Sequence, residues 1–156
     1  MSMLEGFFKG LHRIGIRPVA DESLAEGLMV LLQGQQNFPL ELVGTGRRQS
    51  QIALIANREG ACTQRHHCLA MLSIDPAIPA NRPNVAAYIE GVHVGYLPSY
   101  LSTRYREWLK SWSLCRASVH CRAMLHAERT VIGGGLGEYR VKLDVEVPFR
   151  MTTIQA

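Results

Sequence analysis

The chain has 156 residues, 47% of them hydrophobic and 19% charged, a profile that suits one soluble globular domain and excludes disordered or fibrous classes. No run of about 18 apolar residues exists to span a membrane, and Gly, Lys, His and Arg interrupt the apolar positions that a secretory signal would need. The formal charge of +4 is uneven: residues 98–142 hold eight Arg and Lys against three Glu, whereas residues 1–42 hold three basic side chains against five acidic.

A basic C-terminal half of this kind favours a polyanion as partner for one face. The four cysteines lack CxxC spacing, which argues against a disulfide framework and makes a reducing cytoplasmic compartment the expectation.

In chain order, Met3, Leu4, Phe7, Phe8, Leu11 and Ile14 recur at helical spacing. Such a stripe suits a partner or a membrane surface. Three glycines weaken it as a free helix, so packing on the domain is the preferred reading. Ser23-Leu24-Ala25-Glu26 is a capping box, Leu24, Leu28, Leu31 and Leu32 form a helical stripe, and Gly34 is a stop signal. Residues 1–37 therefore read as an N-terminal helical extension, and 38–150 as the domain.

From Phe38 the texture changes. "FPLELVG" reads as a short strand, "RRQSQIALIANREG" as a helix burying Ile52, Ile55 and Ala56, and "HCLAMLSIDP" as a strand ended by Pro76. "AIPANRP" has too much proline for ladder or helix and reads as a loop. In "NVAAYIEGVHVGYLP" a Glu90-Gly91 turn sets Ile89 against Val92, Ala87 against Val94 and Val85 against Tyr96 as a core face. The other face carries Ala86, Tyr88, His93 and Gly95, leaving Tyr88 free to stack. A glycine inside a strand marks close approach by another backbone or by a ligand.

Pro98 opens a helix whose Tyr100, Leu101, Tyr105, Trp108, Leu109 and Trp112 share a face. From Cys115 to His126 the residues alternate strictly, with Arg116, Ser118, His120, Arg122, Met124 and His126 on one side. After the glycine-rich connection, Tyr139, Val141, Leu143, Val145 and Val147 face in, and Arg140 and Lys142 face out. Pairing of the two strands would gather Arg116, His120, Arg122, Arg140 and Lys142 into a basic patch, or leave an ordinary solvated face.

Cys62, His66, His67 and Cys68 lie close together, but their spacing matches no standard zinc finger or ribbon. Cys115 and Cys121 are separated by roughly 20 Å of strand and read as core thiols. No nucleophile elbow, HExxH or paired carboxylates are present, and "GGGLG" lacks the Lys-Ser/Thr of a phosphate loop. No enzyme, metal or cofactor is expected.

Val43-Gly44, Asp75-Pro76, Pro79, Pro83-Asn84-Val85, "VGYL" at 94–97 and "GG…YRVKLD" at 133–144 together resemble the HIRAN domain over about residues 40–147. The resemblance implies an α+β fold: a small OB-like β-barrel with short helices, here behind the N-terminal helical extension. It also implies single-stranded DNA or its 3′-hydroxyl end as ligand, and a setting in DNA repair beside a helicase or nuclease. Carried over by residue, the family's contact positions fall on Arg47 and Arg48 after Val43-Gly44, on Asn81, Arg82 and Asn84 of the loop, and on Tyr96 and Tyr139. The loop's Tyr-Asp pair falls at Ala80-Asn81, with Arg82 as a one-residue insertion, so general DNA contact through Arg47, Arg48, Arg82 and the basic strand face is expected. The expected function is a non-catalytic nucleic-acid-binding module. The alternative is a protein–protein interaction domain that has lost DNA-end recognition and docks through residues 3–34.

Overall fold

The alternation from Ser118 onward builds the central strand. In the computed structural model, which describes residues 27–57, 65–79, 81–129 and 136–155, β6 runs Ser118–Arg129 and buries Val119, Cys121, Ala123, Leu125 and Ala127. The expected helix over 3–14, the capping box at Ser23, Cys62 and the glycines at 133–135 lie outside the described residues. The strand begins three residues later than its alternation suggests: Cys115–Ala117 form a turn, so Arg116 does not share the sheet face.

One edge of β6 pairs antiparallel with β3 (Arg65–Ile74), from Arg65 opposite His126 to Leu72 opposite Val119. The other edge is shared by two strands. β7 (Leu136–Asp144) pairs antiparallel from Arg122 opposite Asp144, and β1 (Met29–Leu32) runs parallel to Ser118–His120. β8 (Met151–Gln155) pairs antiparallel with β1.

β1 corrects the helix read from the leucine spacing. Leu28, Val30 and Leu32 are buried while Met29 is exposed, which is the two-residue period of a half-buried strand. Leu28, Leu31 and Leu32 satisfy a helical period equally well, and pairing with β6 and β8 decides between the two. The sheet thus starts at residue 29, inside the segment read as helical extension, and β8 carries it beyond residue 150.

The chain leaving β1 is latched onto the end of β7. Asp144, 1% exposed, accepts the backbone N–H groups of Gln36 at 3.0 Å and Phe38 at 3.3 Å. Only a residue without a side chain fits at Gly34, where a Cβ would collide with the Asp144 carboxyl and carbonyl groups. Phe38 then lies edge-on to His67, with ring centroids 5.3 Å apart.

With β2 (Leu40–Glu41), β4 (Val85–Ile89) and β5 (Val92–Tyr96), the main path is β2-β7-β6-β3-β4-β5. Among the described residues this mostly antiparallel sheet curls into a half-barrel with two short helices. The two ends of the path meet at one antiparallel bridge. The Val43 N–H donates to the Tyr96 carbonyl and the Tyr96 N–H to the Val43 carbonyl, each at 2.9 Å.

Gly95 permits that seam. A Cβ there would stand 2.9 Å from the Val43 carbonyl oxygen and 3.2 Å from the Leu42 Cβ, so the close approach expected at this glycine is made by backbone of the same chain. Helix α1 (Gln49–Ala56) buries Ile52, Ile55 and Ala56 as its pattern predicts. The Gln49 side chain joins α1 to β7, accepting the Tyr139 N–H at 2.7 Å and donating to the Tyr139 carbonyl at 3.0 Å. Helix α2 (Ser99–Ser111) buries Leu101, Tyr105 and Leu109, with Tyr105 edge-on to Phe149 at 5.5 Å. Tyr100, grouped with that face by spacing, is exposed. Among the described residues no helix is long and apolar enough to cross a membrane.

Candidate functional site

The β4–β5 hairpin turns at Glu90-Gly91 as its sequence demands, both residues at positive φ, the geometry that matches the twist of two adjoining strands. Ile89 opposes Val92 and Tyr88 opposes His93, but the register then shifts: Ala87 opposes Gly95, and Ala86 opposes Tyr96. One extra residue in β5 is a β-bulge, and it reverses the facing of everything after it. Val94 remains in the core. Tyr96, expected on the core face opposite Val85, is turned to the outer face instead.

The result is a cluster of three rings. Tyr88 stacks on His93 with centroids 5.1 Å apart and planes inclined by 28°, and Tyr96 meets the same imidazole edge-on at 4.6 Å. The His93 Nε2–H donates to the Gly95 carbonyl at 3.0 Å, which fixes the tautomer and the ring plane. Gly44, at φ 74°, lies against the Tyr96 ring, where even a Cβ would sit at 3.3 Å.

Cationic groups flank the rings. The short 3₁₀ turn Thr45–Arg48 follows Gly44 directly, placing Arg47 in solvent and Arg48 half-buried. The Arg48 Nε is shielded from water and meets no acceptor among the described residues. A guanidinium donor without a partner is an unmet demand for an anion or a carbonyl oxygen. Partial burial and the nearby Arg48 charge hold the His93 pKa below its ordinary value, against the opposing pull of the Gly95 carbonyl and Asp75.

The Asp75–Asn84 loop borders this region. It is closed by the Asp75 N–H donating to the Asn84 carbonyl at 2.7 Å and by the Asp75 carboxylate accepting the Ala77 N–H at 3.0 Å. Asn81 and Arg82 are exposed on it. Asn84 is not: it is 4% exposed, and its side-chain oxygen has no partner among the described residues. It sits beneath the surface, which corrects its expected place among the contact residues. Tyr139 is corrected likewise, since its ring is 7% exposed and part of the core.

The expected basic face forms in part. Arg122 opposes Asp144, Met124 opposes Lys142 and His126 opposes Arg140, so three cations occupy successive rows of β6 and β7. Arg65, opposite His126, joins them. Arg140 pairs with Glu41 at 3.6 Å, and both are half exposed, which lowers the net charge of the patch. Arg116 is exposed in the turn before β6 and stands apart from these rows.

His93 is the residue that sequence reasoning leaves out of the site. Its signal is present all the same: it lies two positions from the hairpin turn, on the same face as Tyr88.

Burial, with Glu90 adding to it, pushes the Cys68 thiol up to about 12, so it stays protonated and is a poor metal ligand or nucleophile at neutral pH. Among the described residues no group of three His, Cys, Asp or Glu side chains converges on a metal-sized site. Comparison with protein-family models, curated proteins and solved structures returns no match for this chain.

Proposed function

We propose that this chain is a HIRAN-like, non-catalytic module that binds single-stranded DNA across the outer face of the β4–β5 hairpin. The observation that carries the reading is the Tyr88–His93–Tyr96 cluster beside Arg48, whose buried Nε has no acceptor among the described residues. Rings on an outer face supply sequence-tolerant platforms for bases, and flanking arginines take the phosphates. The seam at Val43–Tyr96 and the curled sheet support an OB-like barrel of the HIRAN type, and the motifs from Val43-Gly44 to "VGYL" line this same region. Arg47, Arg82 and the Arg122–Lys142 rows provide further phosphate contacts along the surface. Recruitment beside a helicase or nuclease is the setting this reading implies.

The test is fluorescence anisotropy with a short oligonucleotide at two salt concentrations, comparing a free 3′-hydroxyl with a 3′-phosphate. Three or four phosphate contacts predict a log–log salt slope of roughly −2 to −3 for a single strand. Equal affinity for both ends is expected, because Ala80-Asn81 replaces the family's Tyr-Asp. No binding at low salt would sink the reading.

A pH profile gives an independent check. The folded pKa of His93 is depressed, so the unfolded chain binds this proton more readily, and the ring's contribution to stability is lost as pH falls below about 6.5. Binding has the opposite sign. A phosphate beside the ring stabilises the imidazolium, so complex formation takes up a proton and affinity rises on acidification. His120 also has a lowered pKa through burial, so the comparison is between wild type and His93→Gln at pH 7.5 and 5.5. The variant is expected to show the flatter profile.

A further inference from the structure

The segment that leaves β1 carries two non-glycine residues at positive φ, Gln36 at 64° and Phe38 at 46°. For a side chain as large as phenylalanine this backbone is strained and persists only where its surroundings impose it. The buried Asp144 carboxylate imposes it here by accepting both N–H groups. The strained segment sets the half-buried Phe38 ring against the exposed His67 of β3, with planes inclined by 62°.

This ring pair shares a surface with the hairpin cluster. On its outer face β3 presents His67, Leu69 and Met71, alternating with the inward Cys68, Ala70 and Leu72, and Met71 stands opposite Tyr88 of β4. A groove of about 590 Å³ joins the two ends, its lining including His67, Leu69, Met71, Tyr88, His120 and Glu90. From Tyr88 to His67 is one strand spacing and four residues, roughly 14 Å. Leu69, 55% exposed, lies midway and continues the apolar floor. Charge divides across the groove. Arg122 stands beside Leu69 on β6, and the row of His67 continues through Met124 to Lys142 on β7. Glu90 lies at the hairpin tip, beyond β4 on the opposite side of β3.

Resting on the single-strand reading of the hairpin, we infer that His67 and Phe38 form a second base platform. The strand runs from Tyr96 and Tyr88 along the groove to this pair, with its phosphates turned toward Arg122 and Lys142 and away from Glu90. Rings at both ends, an apolar floor between them and cations along one flank match a ligand with planar bases on one side and a line of charge on the other. The span fits within the roughly 4–16 nucleotides that one small barrel covers. A second copy of this chain fits less well, because face-to-face pairing would bring Arg122 and Lys142 against their own counterparts.

The experiment titrates the full isotope-labelled chain with oligothymidylates of about three and about eight nucleotides, which reach one platform or both. NMR follows the amides of Tyr96 and His67. Both oligomers are expected to shift Tyr96, and only the longer one His67. Phe38→Leu keeps the apolar contact but removes the ring, and His67→Ala changes an exposed position. Each should weaken the longer oligomer roughly tenfold and leave the shorter one unchanged. Arg122→Gln should reduce the log–log salt slope of the longer oligomer by about 0.7. If Tyr96 shifts with both lengths while His67 does not move and the variants bind as wild type, the second platform is overturned and the hairpin reading stands. If neither amide shifts, the nucleic-acid reading fails and takes this one with it. Equal losses at both lengths would also overturn the platform, since Phe38 would then act through the fold. So would His67 shifts that depend on protein concentration without oligonucleotide, which assign the face to a second copy.

Discussion

Replacing Tyr96 with alanine is expected to weaken binding of a short single-stranded oligonucleotide roughly tenfold to a hundredfold, the effect of losing one stacking platform worth about 1–3 kcal/mol. The expectation depends on the bulge in β5. Without it, Tyr96 would face the core opposite Val85, and its removal would act through stability. With it, the half-buried ring lies on the outer face, edge-on to His93 at 4.6 Å. The seam itself uses only the Tyr96 backbone, so alanine leaves both of its hydrogen bonds in place. Denaturant unfolding should therefore shift little while anisotropy changes strongly. Tyr96→Phe keeps the ring and should bind nearly as wild type. Tyr88→Ala should resemble Tyr96→Ala, and the double variant should lose less than the sum, because both rings rest on one imidazole and are coupled through it. Tyr139→Phe, altering a buried ring, serves as the control without effect on binding. Unchanged affinity in Tyr96→Ala would remove the hairpin from the interface.

Particular residues explain why some of this is legible in the sequence and some is not. Signals that act within a few residues hold in the fold: Glu90-Gly91 as the turn, Ile52 and Ile55 as the buried side of a helix, and the two-residue period from Ser118 to His126. The glycine at 95 announces a close approach, though not whether backbone or ligand makes it. The bulge leaves no such mark. Val94 faces the core in either register, and Tyr96 is amphipathic enough to suit either face, so one inserted residue is invisible to burial patterning. β1 escapes for another reason: its leucines fit periods of both 3.6 and 2, and the strands that decide, β6 and β8, lie some 90 and 120 residues away in sequence. Asn84 and Tyr139 enter the site by motif position alone, and motif position does not report depth beneath the surface.

Gly95→Val tests the seam, and with it the geometry of the whole site. The glycine does not owe its place to backbone conformation, since its φ is not among the positive ones; what excludes a side chain is space. A Cβ would lie 2.9 Å from the Val43 carbonyl oxygen, 3.1 Å from the Thr45 Cγ2 and 3.2 Å from the Leu42 Cβ. Two of those three neighbours are backbone or directly attached to it, so relief requires the 42–45 segment to move away from β5. Overpacking of this kind costs about 1–3 kcal/mol, and valine, with two further methyl groups, should stand at or above the upper end and alanine nearer the lower. Gly46→Ala is the matched control, because no atom lies within 4 Å of the position its methyl group would take. Urea unfolding should rank the variants Gly46→Ala, Gly95→Ala, Gly95→Val in order of increasing loss. The same displacement carries the 3₁₀ turn with it, so Arg48 moves off His93 and oligonucleotide affinity should fall even under conditions where the variant is fully folded. Amide exchange at Val43 and Tyr96, the two donors of the bridge, reports the opening directly. If Gly95→Val unfolds no earlier than Gly46→Ala and those amides stay protected, β2 does not close on β5. The rings and the guanidinium would then have to be brought together by the ligand itself, and binding would be slower and weaker than a preformed site allows.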